Sequence, residues 1–283
     1  MTTSQRVPSL GLGHASTPGL TIPQIGFGVW EVPDAGVDAA FGRALVVGYR
    51  HLDTARIYGN EEGVGRALAA SGIPREQLFV TTKLWNDDQG TQSVFDAFDR
   101  SLDRLGLEYL DLYLIHWPTP RNDRYVETWK AFERLRESGR VRSIGVSNFL
   151  AHHLERLLDE TDVVPAVDQI ELHPYHQQPE TAAFAEEHAI AIEAWGPLGQ
   201  GKYPLFELPA VTGPAEVHGK TPAQVVIRWH LQRGHIVFPK SNRRERMAEN
   251  FDVFDFELDE AEVQAITDLE REGRVSAHPD EMH

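Results

Sequence analysis

The chain has 283 residues, 41% of them hydrophobic and 25% charged, the make-up of an ordinary globular protein with ample material for a core. Acidic residues number 43 against 27 basic, and the field of the resulting net charge of −16 opposes nucleic acid and anionic membrane as partners. There is no cysteine, which excludes disulfides, thiolate nucleophiles and Cys-held metals.

In chain order, Met1 to Gly13 shows no apolar stretch behind a basic start, so no secretory signal is expected. No run of about 18 apolar residues follows, so no membrane span is expected and a cytoplasmic location is the default. Val7–Leu10 and Leu20–Ile22 flank a Gly-rich turn and suit a hairpin that plugs the bottom of a barrel. Eight β-rich runs then recur at Gln24–Val29, Tyr49–Ala55, Leu78–Leu84, Asp111–Trp117, Val141–Asn148, Ala166–Leu172, Ala189–Gly196 and His235–Lys240. Helical patterns separate them at Val37–Val47, Glu61–Ala70, Thr91–Leu105, Tyr125–Ser138, Leu150–Leu158, Glu180–His188 and Thr221–Arg233, and Arg243–Phe251 follows. Such alternation predicts an α/β fold with a parallel sheet, and eight repeats predict one (β/α)8 TIM barrel domain over residues 1–283.

Local punctuation agrees with these elements. Thr221-Pro222 is an N-cap followed by Pro at the first helical position, and Ser138-Gly139 closes a helix. Asp259-Glu260-Ala261-Glu262 opens an extra C-terminal helix with acids in its first turn. Pro197–His218 reads as a long Gly/Pro-punctuated excursion, and long loops in compact domains are often functional.

In such barrels the active site lies at the C-terminal strand ends. Asp53, Lys83 and His116 close the second, third and fourth strands, and Tyr58 follows the second. Singly, an Asp there is an N-cap and a Lys is a solvated surface residue. Four such residues on three neighbouring strands converge. A free Tyr titrates near 10 and a Lys near 10.4. A nearby ammonium favours the phenolate and lowers the Tyr pKa, while a carboxylate keeps that ammonium charged. The set suits proton donation to a carbonyl oxygen that becomes an alkoxide as hydride arrives. The hydride itself must come from a cofactor.

No Rossmann fingerprint is present: Gly11-Leu-Gly13 and Gly63-Val-Gly65 lack the third Gly and the strand context. Instead the eighth strand ends in Phe238-Pro-Lys240-Ser241-Asn242-Arg243, with Arg246 on the following helix. A helix N-terminus with clustered cations makes an anion site; the plainer reading is a solvated basic helix face. The 13 histidines raise the question of a metal. The best groupings are His173 with His176 and His152-His153, but no His-x-His stands on an early strand, so no metal is expected.

Several segments resemble the signatures of the aldo-keto reductase superfamily. They are Gly48-Tyr-Arg-His-Leu-Asp53-Thr-Ala, Tyr58-Gly-Asn-Glu, Thr82-Lys83-Leu-Trp and Asp111-Leu-Tyr-Leu-Ile-His116-Trp-Pro. The likeness continues through Ile144-Gly-Val-Ser-Asn148, Gln169-Ile-Glu-Leu-His-Pro174 and Pro239-Lys240-Ser, over essentially the whole chain. Trp195-Gly-Pro-Leu-Gly-Gln-Gly-Lys-Tyr203 and the tail Gly273-Arg-Val-Ser-Ala-His-Pro-Asp280 are most similar to the bacterial 2,5-diketo-D-gluconate reductases.

The resemblance implies reduction of aldehydes or ketones with NADPH, giving NADP+ and an alcohol. The implied substrate is 2,5-diketo-D-gluconate or a related dicarbonyl. Tyr58 is then the general acid, Lys83 and Asp53 tune it, and His116 orients the carbonyl. Ser147, Asn148 and Gln169 match positions that hold the nicotinamide carboxamide, and Trp195 the aromatic that stacks on its ring. Leu198, Gln200 and Gly201 lie in the loop over the pyrophosphate. Lys240, Ser241, Asn242, Arg243 and Arg246 surround the 2′-phosphate, with Glu249 and Asn250 near the adenine. Trp30, Trp85 and Trp117 join His116 around the substrate; relatives carry Phe at the position of Trp30. The branch leans to monomers. A rival reading is a cofactor-binding regulatory protein on the same fold, like the potassium-channel β subunits, but the intact Asp53, Tyr58, Lys83 and His116 argue against lost catalysis.

Overall fold

The βα alternation closes on itself in a computed structural model, which describes residues 7–12, 19–241 and 243–283. Strands β1 (Ser9–Gly11) and β2 (Thr21–Pro23) pair antiparallel, with Leu10 opposite Ile22. The barrel strands are β3 (Phe27–Gly28), β4 (His51–Asp53), β5 (Phe79–Leu84), β6 (Leu110–Ile115), β7 (Val141–Ser147), β8 (Val167–Glu171), β9 (Ala191–Trp195) and β10 (Ile236–Val237). They stand in sequence order, each parallel to its neighbours. A parallel bridge between Ile25 and Val237 joins the last strand to the first. Its bonds run from Gly26 N to the Val237 carbonyl and from Val237 N to the Gln24 carbonyl, both 2.9 Å. Gly26 is required at this seam, because a Cβ there would sit 2.4 Å from a ring carbon of Phe238.

The helices are α1 (Asp34–Val47), α2 (Glu61–Ala70), α3 (Gln92–Leu105), α4 (Tyr125–Glu137), α5 (Ala151–Glu160), α6 (Pro179–Glu187), α7 (Pro209–His218), α8 (Pro222–Gln232), α9 (Arg244–Phe251) and α10 (Glu260–Thr267). Period decides which face each one buries. In α3, Val94, Ala97, Phe98, Ser101, Leu102 and Leu105 recur every three or four residues and face the sheet. Caps decide where they begin. Thr221 accepts from Gln224 N and the Gln224 side chain returns to Thr221 N, a capping box with Pro222 at the first helical position. Asp259 and Glu262 repeat the device at α10.

The hairpin's Leu12, Leu20 and Ile22 pack with Phe79, Leu112, Val167 and Ile236, residues near the N-terminal ends of barrel strands. The hairpin therefore stoppers the end opposite the active-site mouth, as expected. The stretch Pro197–His218 is not the structureless loop that its Gly and Pro content suggests. Its second half forms α7, with Pro209 at the first position, where a missing N–H is harmless. Val211, Pro214 and Ala215 are buried, and this packing overrides the poor propensity of Gly213 and Pro214. Among the described residues no helix is long and apolar enough to cross a membrane.

Candidate active site

Strand β4 ends at Asp53, β5 carries Lys83 one residue before its end, and His116 follows β6 directly. A single 3₁₀ turn, Arg56–Tyr58, brings Tyr58 over them. All four sit at the C-terminal mouth. Lys83 is fully buried within the run Phe79–Leu84 and donates to both carboxylate oxygens of Asp53 at 2.7 Å and to the Thr54 carbonyl at 3.0 Å. A charge so placed needs such partners. Burial works most strongly against the ammonium, but Asp53, Tyr58 and Glu193 together outweigh it and the Lys83 pKa lies above its ordinary value. Its Nζ lies 5.3 Å from the centre of the Tyr58 ring. The His116 ring meets Tyr58 edge-on at 5.9 Å and Trp85 at 5.3 Å.

The expected fall in the Tyr58 pKa does not occur. Enclosure of the hydroxyl raises it, Asp53 adds to the rise, and the opposing pull of Lys83 is outweighed. Tyr58 therefore holds its proton through the neutral range. Burial, and then Lys83, push His116 well below the ordinary imidazole range, so its ring is neutral there. His116 Nδ1 has no hydrogen-bond partner among the described residues.

Asp53, Tyr58 and His116 line a cavity of about 790 Å³, with Lys83 buried behind them. One wall is a hydrogen-bonded set from β7, β8 and β9. Gln169 Nε2 donates to Asp53 Oδ1 at 2.9 Å and to Glu193 Oε2 at 2.8 Å. Ser147 Oγ donates to the Gln169 carbonyl at 2.7 Å. Asn148, in the left-handed region at φ 62°, donates to the His116 carbonyl at 2.9 Å and to Ser147 Oγ at 3.1 Å. Its Oδ1 accepts the indole N–H of Trp195 at 2.9 Å. Leu198 and Gln200 line the same space, and Gly201 belongs to the same 3₁₀ turn, Gly199–Gly201.

Trp30, Trp85 and Trp117 line the rim; Trp117 is buried, whereas Trp30 is 46% exposed. Lys240 also lines the cavity, but its Nζ lies 3.6 Å from Glu31 Oε2 and 5.8 Å from the centre of the Trp30 ring. Ser241 Oγ accepts from Arg243 N at 3.1 Å. Arg243 and Arg246 are exposed and lie outside the cavity wall. Glu249 accepts from Thr221 Oγ1 at 2.8 Å, Asn250 is buried, and Asn242 lies outside the described residues.

Ser276 and Lys202 also line the cavity. The first half of the tail motif explains Ser276. Glu171 accepts from Val275 N at 2.7 Å, from Ser276 N at 3.0 Å and from the Ser276 hydroxyl, and lies 3.2 Å from His173 Nε2. Burial works against this carboxylate, but His173 and those donors hold its pKa down to about 2. The tail is thereby fastened beside the mouth. Further on, Asp280 Oδ1 lies 3.0 Å from His152 Nε2 and 3.1 Å from His153 Nε2, a group with metal-ligand spacing. His153 Nδ1, however, accepts the Leu150 N–H at 3.1 Å. The neutral ring then carries its proton on Nε2, the wrong tautomer for a ligand atom facing Asp280. The group suits holding the tail.

The Aldo/keto reductase family model matches residues 10–271. An aldo-keto reductase of Mycolicibacterium smegmatis is 56% identical over 261 residues, 92% of this chain and 94% of the relative. Methylglyoxal reductase DkgA of Salmonella typhimurium is 51% identical over 264 residues, 93% and 95% of the two chains. The crystal structure of Gox0644 without ligand superposes with a TM-score of 0.93 at 48% identity, covering 99% of this chain and 100% of that one. A variant of the same protein, solved in complex with NADPH, gives 0.88 at 51% identity over 94% and 96%.

Proposed function

The chain belongs to the aldo/keto reductase family, and from that premise we propose that it reduces small dicarbonyl compounds, methylglyoxal and 2,5-diketo-D-gluconate among them, with NADPH. One observation carries the reading: a protonated Tyr58 stands over the buried Lys83–Asp53 pair, beside a neutral His116, on the floor of an open cavity.

NADPH supplies the hydride when bound. Tyr58 gives its hydroxyl proton to the carbonyl oxygen as negative charge grows there. Lys83, kept charged by Asp53, favours the phenolate that remains. The neutral His116 hydrogen-bonds the same oxygen and orients it. The residues of the opposite wall suit the cofactor. Gln169 turns its amide nitrogen inward, which leaves its amide oxygen to accept from the nicotinamide carboxamide, with Ser147 beside it. Trp195 offers a ring face, and Asn148 sets that ring. Leu198, Gln200 and Gly201 cover the pyrophosphate. Lys240, Ser241, Arg243 and Arg246 would hold the 2′-phosphate, with Glu249 and Asn250 toward the adenine. Trp30, Trp85 and Trp117 enclose the dicarbonyl.

NADPH oxidation measured with methylglyoxal, 2,5-diketo-D-gluconate and a simple β-keto ester tests this. Turnover of the dicarbonyls is expected to exceed that of the ester. NADPH binding with no oxidation on any of them would contradict a reductase.

A further inference from the structure

Behind the Lys83–Asp53 pair lies a carboxyl that the proposed reaction does not use. Glu193, in the middle of β9, is fully buried. Its Oε2 accepts from Gln169 Nε2 at 2.8 Å, and the same nitrogen donates to Asp53 Oδ1 at 2.9 Å. Its Oε1 has no hydrogen-bond partner among the described residues and lies 3.8 Å from His51 Nε2. An amide nitrogen has two N–H groups, and here the two carboxyls take both. The terminal torsion of a Gln side chain is broad and roughly two-fold, so with one acceptor its nitrogen and oxygen could exchange places. Two acceptors on the inner side remove that freedom.

We propose that Glu193 is a positioning residue that, together with Asp53, clamps Gln169 with its amide oxygen toward the cavity, so that the site selects a nicotinamide bearing a carboxamide N–H. This deepens the reading of Gln169 given above and rests on it. The charge state is consistent with the role. Burial, and then the charge of Asp53, push the Glu193 carboxyl up to about 8. In the neutral range it accepts from Gln169 without placing a second anion beside Asp53. The ionisable groups that face it are Asp53 and His51 on β4, Lys83 on β5 and Asp168 on β8. His51 is itself kept neutral, pushed by burial to about 3.

The test compares NADPH with its reduced 3-acetylpyridine analogue, in which a methyl ketone replaces the carboxamide and no N–H remains. Binding of each is followed by quenching of tryptophan fluorescence in wild type, Glu193→Leu and Glu193→Gln. Wild type is expected to prefer NADPH. Glu193→Leu fills the space but removes one acceptor, and should raise the Kd for NADPH about tenfold, the effect of one lost hydrogen bond. The Kd for the analogue should move by less than about twofold, since the lost contact is absent from it. Glu193→Gln, whose amide oxygen still accepts from Gln169, should return most of the loss. Equal weakening of both cofactors would overturn the proposal and mark Glu193 as structural; so would an unchanged Kd for NADPH. Glu193→Met provides the same comparison if the Leu variant does not fold. Wild-type protein that binds neither cofactor would instead overturn the functional reading beneath it.

Discussion

The indole N–H of Trp195 is held by Asn148 Oδ1 at 2.9 Å, so the ring at the end of β9 is fixed by the residue that follows β7. Asn148 is itself fixed, because its amide nitrogen donates to the His116 carbonyl. Removing this post with Asn148→Ala should free the ring and weaken NADPH binding by about 1 kcal/mol, roughly fivefold in Kd. A fluorescence titration checks it. Unchanged affinity and unchanged quenching would show that Trp195 needs no support.

The Lys83–Asp53 pair should matter to folding as well as to chemistry. Replacing Lys83 with Met leaves Asp53 buried with one charged partner gone. Breaking such a pair typically costs about 3–5 kcal/mol. Urea unfolding of Lys83→Met should show a loss of that order. Asp53→Asn with Lys83→Met should recover part of it, because the stranded charge is then absent.

Two carboxyls give stability opposite pH dependences. The folded pKa of Glu193 is raised from 4.5 to about 8, so the native state binds the extra proton and stability falls as pH rises from about 4.5 to about 8. Glu193→Gln should remove that decline, and its thermal midpoint should gain on wild type as pH rises through this window. The folded pKa of Glu171 is lowered from 4.5 to about 2, so its contribution is present above about 4.5 and is lost as pH falls toward 2. The tail around Ser276 should therefore loosen on acidification. Amide hydrogen exchange at Val275 and Ser276 reads this directly, and Glu171→Gln should loosen the same amides at neutral pH.

Lys240 and Arg246 differ in setting but should share a preference. Lys240 leans on Glu31 and Trp30, whereas Arg246 is exposed on α9. Lys240→Gly and Arg246→His should each raise KM for NADPH more than for NADH. One charge-assisted contact is worth about 1.5–3 kcal/mol. Equal losses for both cofactors would refute contact with the 2′-phosphate.

Much of this fold is legible in the sequence. The eight strands and nine of the ten helices follow from period and caps, because Thr221-Pro222, Asp259 and the apolar spacing of α3 act locally. Helix α7 was hidden, since Gly213 and Pro214 spoil its local pattern and only burial of Val211 and Ala215 reveals it. The convergence of Asp53, Tyr58, Lys83 and His116 was legible because strand ends in a barrel share one mouth. The direction of the Tyr58 shift was not: charge can be read from residue types, but desolvation depends on what encloses the hydroxyl. Ser276 escaped for a related reason. Its place in the cavity wall depends on Glu171, 105 positions away, and no spacing rule reaches that far.

In the proposed reaction Tyr58 hands a proton to the substrate oxygen from a site that binds NADPH independently of that proton. Single-turnover oxidation of bound NADPH by methylglyoxal, in wild type and Tyr58→Phe, tests it most directly, with NADPH affinity measured on the same samples. The rate in Tyr58→Phe is expected to fall by about a hundredfold or more while the affinity is kept. A Tyr58→Phe rate equal to that of wild type would contradict it.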